Sequence, residues 1–237
     1  MSELVERYHA VLSQIAEACR KSSRKRESVR LLAVSKYHPF ESMLELARAG
    51  QLLFGENYVQ EAQEKSAALR EEGYDPARMI HIIGHLQRRK VPQVVGNFAL
   101  LHTLDSLPLA SALEKRAASL GIVQDVLIEV NLGREAQKAG IAEEELCAFS
   151  EKVLDLCPHV QLCGLMCIPP ADAEGENVRP YFARLRMLRD ALSQRIGQIL
   201  PELSMGMSGD YLLAIEEGAT IVRVGTALFG ERVTPKR

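Results

Sequence analysis

The sequence predicts an α/β fold, a single (β/α)8 TIM barrel. Short apolar stretches alternate with amphipathic stretches along the whole chain, which is typical of βα units around a parallel sheet. Eight of the apolar stretches have the length of strands, and the 237 residues approach the ~250 typical of this barrel. No change in composition marks a linker, so we expect one domain over residues 1–237. A doubly wound open sheet is the alternative.

The expected elements follow in order. Apolar residues at helical spacing from Leu4 to Cys19 predict an opening amphipathic helix. Apolar and β-branched runs predict strands at Leu31–Val34, Leu52–Gly55, Met79–Ile83, Phe98–Leu101, Val123–Val130, Val160–Met166, Glu202–Met205 and Thr220–Val224. Amphipathic spacing predicts helices at Glu41–Ala49, Tyr58 to about Glu72, Leu109–Leu120, Ile141–Leu156, Tyr181–Leu200 and Tyr211–Glu217.

Composition excludes several classes of protein. The net charge is −2, so no electrostatic argument supports nucleic-acid binding. Five cysteines occur without a Cys-x-x-Cys pair, so we expect free thiols in a reducing, cytoplasmic setting. The acidic N-terminal segment is unlike a signal peptide, and no stretch approaches membrane-spanning length, so no membrane partner is expected.

Lys36 directly follows the first predicted strand. Leu31–Val34 suits a buried strand, and Pro39 prevents it from continuing. Lys36 is therefore expected at the carboxyl ends of the strands, where such barrels place their active sites. Apolar surroundings penalise the ammonium form, so the neutral amine becomes a nucleophile that forms a Schiff base with a carbonyl. A surface lysine on a βα loop is the alternative for this stretch taken alone.

Further residues of interest recur where the predicted strands end. They are Lys36, Glu56, Asn57, His85, His102, Asn131, Met166, Ser204 and Arg223. In a parallel barrel these positions share one mouth, so together they predict a site there. His81 lies within a strand, and we expect it to be a hydrogen-bonded core residue rather than a ligand.

Two glycine-rich turns follow the seventh and eighth predicted strands. Ser208 lies between Gly206 and Gly209, and Gly225 and Thr226 open a short helix after the last strand. Glycines let the backbone approach a ligand closely. Loops at these two strands, with amides facing the mouth, form the recurrent phosphate site of the barrel. An ordinary helix cap and a tight turn are the alternative.

An amine at the first strand and a phosphate cradle at the last two indicate pyridoxal 5′-phosphate as the cofactor. This molecule carries an aldehyde and a phosphate at different positions of its ring. A sugar phosphate also satisfies the pair, as in a Schiff-base aldolase. That enzyme needs a general base beside Lys36, and only Glu56 stands out for it.

Six segments carry a resemblance to a known family. They are LLAVSKYHP, FGENYVQEAQEK, IGHLQRRK, VLIEVNLGREAQKAGI, GLMCI and LSMGMSGDYLLAIEEGATIVRVGTALFGER. Over nearly the whole chain they resemble the YggS/PROSC family of pyridoxal phosphate homeostasis proteins. The resemblance implies a barrel similar to the N-terminal domain of alanine racemase, a fold-type III enzyme, without the second, β-rich domain.

The resemblance also implies roles for particular residues. Lys36 would carry pyridoxal 5′-phosphate as a Schiff base, and Arg223 would face its pyridine nitrogen. The other implied contacts are Ser208, Gly225 and Thr226 at the phosphate, and Asn57 and Met166 around the ring. An arginine offers only hydrogen-bond donors, so this nitrogen would stay unprotonated and the ring would be a poor electron sink.

Besides the Schiff-base aldolase, two functions are compatible with these features. The first is a non-catalytic protein that binds pyridoxal 5′-phosphate reversibly, maintains vitamin B6 and amino-acid homeostasis, and delivers cofactor to apo-enzymes. The second is an amino-acid racemase, which needs an acid–base group on each face of the substrate α-carbon. Alanine racemase takes one such group from its second domain, so we favour the carrier. Without that domain we expect a monomer.

Overall fold

The strands of the chain close into a parallel barrel. The computed structural model describes residues 2–135 and 137–230. The strands are β1 Arg30–Val34, β2 Phe54–Glu56, β3 Ile80–Ile82, β4 Leu100–Leu104, β5 Gln124–Glu129, β6 Val160–Met166, β7 Glu202–Ser204 and β8 Ile221–Val224. They pair in chain order, and β8 pairs with β1 to complete the cylinder. The (β/α)8 prediction is confirmed, and the doubly wound alternative is wrong.

Helices surround the strands. They are α1 Glu3–Lys21, α2 Phe40–Arg48, α3 Val59–Glu71, α4 Pro76–Met79, α5 Val91–Val94, α6 Leu107–Leu120, α7 Leu146–Leu156, α8 Arg179–Ile196, α9 Tyr211–Glu216 and α10 Thr226–Phe229. Helix α1 precedes β1 and packs against α2, α9 and α10. Its predicted apolar face is buried, because Leu4, Val11 and Ile15 lie in the core. Among the described residues, no helix is both long and apolar enough to span a bilayer.

Two hydrophobic clusters hold the barrel together. The larger joins the outer faces of the strands to the helices. The smaller includes Leu32, Leu100, Leu127, Met166 and Ile221 from five different strands. Such inward-pointing layers make a barrel interior a packed core rather than a pore. A ligand site is therefore confined to the loops at a barrel mouth.

Strand β4 differs from the prediction of Phe98–Leu101. The strand runs over Leu100–Leu104 and so includes His102 and Thr103, which are buried. The Thr103 hydroxyl donates to the Gly84 carbonyl at 2.9 Å, and His102 bonds side chains of two other strands. Polar residues are compatible with this buried strand because their partners are supplied from elsewhere in the barrel.

Several helix boundaries also differ, each for a local reason. Met79 closes the short helix α4, whose N-cap Asp75 accepts from the Ala77 amide at 3.1 Å. Ile141 makes an isolated bridge with Val130, so the helix predicted from Ile141 begins only at Leu146. Helix α8 ends before Leu200 because Gly197 adopts a left-handed φ of 66°.

Candidate functional site

A cavity of about 290 Å³ opens at the carboxyl ends of the strands. Small-molecule sites typically enclose roughly 300–1,000 Å³, so the cavity lies near the lower end of that range. The residues that line it are Val34, Lys36, Asn57, Ile83, Ile168, Met207, Ser208, Gly209, Arg223, Gly225 and Thr226. Val34 is the last residue of β1 and Arg223 belongs to β8, and the others follow β1, β2, β3, β6, β7 or β8. We call this the Lys36 cavity.

The sequence predicted most of the polar residues that line this cavity. Lys36, Asn57, Ser208, Arg223, Gly225 and Thr226 all lie on its wall. Met166 does not, because it belongs to the hydrophobic cluster inside the barrel and is 1% exposed. Ile168, two residues further along the chain, contributes an apolar surface instead. The contact expected between Met166 and a cofactor ring stays a prediction.

The sequence did not predict the apolar residues in the wall of the Lys36 cavity. Val34, Ile83, Ile168 and Met207 line the cavity beside the polar residues. Each resembles an ordinary core residue in the sequence, and only the barrel geometry brings them together. Such a wall suits a flat aromatic ring, because apolar contacts exclude water from its faces.

The wall between β2 and β3 is built by close backbone contact. A side chain at Gly84 would put its Cβ 2.3 Å from the Asn57 carbonyl oxygen, so only glycine fits there. The Asn57 Oδ1 atom is buried and has no hydrogen-bond partner. A buried polar atom without a partner is uncommon in folded proteins and fits a ligand contact.

The turn after β7 collects backbone donors. The amides of Gly225 and Ala227 donate to the Ser208 Oγ at 3.2 and 3.3 Å. Gly206 has a φ of 89°, and a Cβ there would lie 2.5 Å from the Ala214 Cβ. The predicted short helix is present as α10, with Gly225 as its N-cap. Convergent amides of this kind suit an anionic oxygen.

Arg223 is the buried cation of the site. It is 4% exposed, and its Nη1 and Nη2 atoms donate to the Ser204 Oγ at 2.7 Å and the Cys167 carbonyl at 2.9 Å. Burial lowers the pKa of Arg223 from its ordinary value. Because an unperturbed guanidinium has a pKa above 12, the side chain still provides a fixed positive charge at the floor of the cavity.

Two buried histidines continue from Arg223 into the barrel. The His102 Nδ1 lies 2.9 Å from the Ser204 Oγ, and its Nε2 lies 2.9 Å from the His81 Nδ1. Burial lowers the pKa of His81 to about 3 and lowers that of His102 well below its ordinary value. Both rings are therefore neutral at pH 7. His81 is a hydrogen-bonded core residue, as predicted, while His102 lies in the interior rather than at the mouth.

A larger cavity of about 740 Å³ adjoins the site. It shares Asn57 with the Lys36 cavity and is lined also by Tyr37, Tyr58, His85 and Lys90. The phenol oxygens of Tyr37 and Tyr58 are 2.5 Å apart. His85, expected at the mouth, faces this second cavity and bonds the Asp105 carboxylate at 3.0 Å.

Comparison with known proteins identifies the family. Residues 11–233 match the model for the N-terminal domain of alanine racemase. The pyridoxal phosphate homeostasis protein of Aquifex aeolicus is 47% identical over 227 residues, which cover 96% of this chain and 97% of that protein. The chain belongs to this family. The pyridoxal phosphate homeostasis protein of Vibrio cholerae is 43% identical over 98% of this chain and 98% of that protein, and that of Bos taurus is 38% identical over 88% of this chain and 79% of that protein.

Solved structures agree with the family assignment. PipY of Synechococcus elongatus, solved without PLP, is 37% identical and superposes with a TM-score of 0.85 over 96% of this chain and all of that one. The same protein with PLP bound superposes with a TM-score of 0.79 over 91% of this chain and all of that one. Alanine racemase of Clostridium difficile, at 16% identity and a TM-score of 0.72, shares the fold; the match covers 94% of this chain and 56% of the racemase.

Glu129, the last residue of β5, makes the stability of this protein depend on pH. It is 9% exposed, and burial together with the Asp105 carboxylate raises its pKa to about 7. The folded state therefore binds a proton that the unfolded state releases at lower pH. The contribution of Glu129 to the free energy of unfolding is therefore largest below pH 4.5, the ordinary pKa of the carboxyl group. It is lost as the pH rises through about 7.

We expect Glu129→Gln to remove this pH dependence, because the amide mimics the protonated carboxyl. Between pH 5.5 and pH 8 the variant should gain about 2 kcal/mol of unfolding free energy relative to the wild type. Urea unfolding at both pH values measures the difference, and the exposed Glu64→Gln is the matched control. Parallel pH curves for the wild type and Glu129→Gln would contradict the expectation.

Proposed function

We propose that this chain is a non-catalytic pyridoxal 5′-phosphate-binding protein that maintains vitamin B6 and amino-acid homeostasis. The observation that carries the proposal is the composition of the Lys36 cavity. One cavity of suitable size combines a lysine at a strand end, a turn with convergent amides and a buried arginine. PipY, a relative that spans nearly the whole chain, binds PLP, which supports the same ligand here.

Lys36 is the residue we assign to covalent attachment. The cofactor supplies an aldehyde that condenses reversibly with an amine to form a Schiff base. Lys36 is partly buried on the wall of the cavity, close to the apolar side chains of Val34 and Ile83. The neutral amine is the form that attacks the aldehyde carbon. Because the imine is reversible, an incoming amine can displace the lysine and release the cofactor.

Ser208, Gly225 and Thr226 are assigned to the phosphate. The amides of Gly225 and Ala227 already share the Ser208 hydroxyl as acceptor. An anionic oxygen is a stronger acceptor than a hydroxyl, so it can take over these donors. Hydrogen bonds to a charged group contribute roughly 1.5–3 kcal/mol each, and a few of them suffice for firm retention.

We assign Arg223 to the pyridine nitrogen, and Asn57 and Met166 to the surroundings of the ring. The Arg223 guanidinium is held by Ser204 and Cys167 and offers only hydrogen-bond donors. Facing such a group, a ring nitrogen remains an unprotonated acceptor, which withdraws electrons poorly. The site is thus suited to holding the cofactor and poorly suited to stabilising a substrate carbanion.

The cavity wall also argues against racemisation. Among the described residues that line it, Lys36 is the only one whose side chain carries an amine, a carboxylate or an imidazole. Racemisation needs a second acid–base group on the opposite face, and a positioned group of this kind contributes about 10²–10⁴-fold to the rate. Alanine racemase resembles this chain in fold alone. We therefore prefer the carrier.

The setting and the partners are part of the proposal. We infer a single domain over residues 1–237, which acts as a monomer in the cytoplasm. The cysteines Cys19, Cys147, Cys157, Cys163 and Cys167 are free thiols, which suits a reducing compartment. Apo-enzymes that depend on pyridoxal 5′-phosphate are the proposed recipients of the bound cofactor.

We expect the purified protein to be yellow after incubation with pyridoxal 5′-phosphate, and Lys36→Ala to be colourless. The yellow colour of the dialysed protein comes from the imine that the cofactor forms with a lysine, and Lys36→Ala lacks the lysine that we assign to it. Lys90→Ala, in the adjoining cavity, is the matched control and should keep the colour. Visible spectra of dialysed samples measure the effect, and circular dichroism checks that each variant is folded. A yellow Lys36→Ala would contradict the assignment.

We expect no racemisation by the loaded protein, because the cavity supplies a base on one face only. Incubation with L-alanine in deuterated water, followed by chiral chromatography and mass spectrometry, measures it. L-alanine should remain free of α-deuterium beyond the rate of free pyridoxal 5′-phosphate at equal concentration. Catalytic turnover into α-deuterated D-alanine would contradict the carrier and favour the racemase.

A further inference from the structure

Lys36 occupies a strained turn. The His38 amide donates to the Ser35 carbonyl at 3.0 Å, so Ser35–His38 forms a turn with Lys36 and Tyr37 at its centre. Tyr37 has a φ of 64°, a left-handed conformation that a turn normally assigns to glycine. A non-glycine residue in this region persists only when its surroundings hold it there. The position of Lys36 thus depends on whatever holds the turn.

A buried lysine contacts this turn from behind. Lys65, in the middle of α3, is 5% exposed. Its ammonium donates to the Ser35 carbonyl at 2.6 Å, the Glu56 carboxylate at 2.7 Å and the Glu61 carboxylate at 2.8 Å. An ammonium has three donors, so these bonds use all of them.

The two carboxylates also bind the turn. Glu56 accepts from the Ser35 hydroxyl at 2.6 Å, and Glu61 accepts from the Tyr37 amide at 2.7 Å. Lys65, Glu56 and Glu61, which we call the Lys65 cluster, therefore contact both residues that flank Lys36. The same Glu61 oxygen receives the Lys65 ammonium and the Tyr37 amide, which links the buried charge to the strained residue.

We propose that Lys65 is a positioning residue that holds the Ser35–His38 turn, and with it the Lys36 amine, in the geometry for Schiff-base formation. The inference rests on the proposed function. A buried ion pair contributes little net stability compared with a well-packed apolar core. What distinguishes this cluster is its three hydrogen bonds to the backbone and side chain of the turn. Lys65 donates one of these bonds, holds the two carboxylates that accept the others, and is not among the residues that line the Lys36 cavity.

The main test compares two ligands on the wild type and on Lys65→Met, which keeps the side-chain length and removes the charge. Pyridoxal 5′-phosphate reports on the imine. Pyridoxine 5′-phosphate carries an alcohol in place of the aldehyde, so it reports on ring and phosphate contacts alone. We expect Lys65→Met to lower the affinity for pyridoxal 5′-phosphate by at least about tenfold. Displacement of a reacting group by ~1 Å can lower its reactivity about a hundredfold. Affinity for the second should stay within about twofold.

Loss of the ammonium leaves Glu56 buried without a cation. Burial already raises the pKa of Glu56, so the carboxyl can take up a proton in the variant. Thermal unfolding of the apo-protein checks that Lys65→Met is folded.

A second pair of variants tests the turn independently of the ion cluster. Tyr37 is 58% exposed in the wild type, and Tyr37→Gly and Tyr37→Val both remove its phenol. Glycine adopts a φ of 64° without strain, whereas valine is strongly disfavoured there. Tyr37→Val should therefore bind pyridoxal 5′-phosphate about tenfold more weakly than Tyr37→Gly, with equal affinity for pyridoxine 5′-phosphate.

The possible results separate this inference from the proposed function. Lower affinity for pyridoxal 5′-phosphate, with unchanged affinity for pyridoxine 5′-phosphate, in Lys65→Met and Tyr37→Val supports the positioning role. Equal affinity of wild type and Lys65→Met for pyridoxal 5′-phosphate, or equal loss of both ligands, overturns it and leaves the proposed function in place. If Lys65→Met is unfolded, the Tyr37 pair decides whether the turn positions Lys36, and equal affinities of Tyr37→Gly and Tyr37→Val for pyridoxal 5′-phosphate overturn the inference. A wild type that binds neither ligand overturns both.

Discussion

The pairing of β1 with β8 is the constraint on which the site depends. Leu32 lies opposite Arg223 and Ala33 opposite Val224 in the closed barrel. This register sets the end of the first strand beside the end of the last, although some 190 residues separate them in the chain. Lys36 and the turn at Gly225 consequently face one cavity. An open sheet would leave the same residues at opposite edges.

The electrostatics of the mouth follow from burial. Arg223 is enclosed with neutral acceptors, and the two histidines beyond it remain uncharged because burial lowers their pKa values. The Arg223 guanidinium is therefore the fixed charge at the floor of the cavity. Since a guanidinium only donates, the Ser204 Oγ accepts from Arg223, and its hydroxyl can donate a hydrogen bond to the His102 Nδ1. The Ser204 hydroxyl and the Cys167 carbonyl together hold the guanidinium in place.

Much of the fold and of the site could be predicted from local patterns. Val160–Met166 is a strand with the bounds that its apolar run indicates, and Gly225 opens the short helix expected after β8. Lys36 was recognisable because an apolar strand ends immediately before it. The turn glycines were recognisable because two such turns follow consecutive strands.

The rest depends on contacts between distant parts of the chain. The sequence pattern places His102 after the end of a strand. The residue lies inside β4 instead, because His81 and Ser204 provide its hydrogen-bond partners. The Met166 side chain belongs to the packed interior, while Ile168 reaches the cavity. Lys65 looks like a solvated helix residue. Its spacing from Ala62 and Leu69, both buried, is the one sequence signal that it faces inward.

The most direct test of the central claim is to locate the covalent bond. Protein loaded with pyridoxal 5′-phosphate is reduced with borohydride, digested and mapped by mass spectrometry. The account predicts one dominant modified peptide, with the pyridoxyl group on Lys36. Label on Lys90 or on exposed lysines, with Lys36 unmodified, would contradict it.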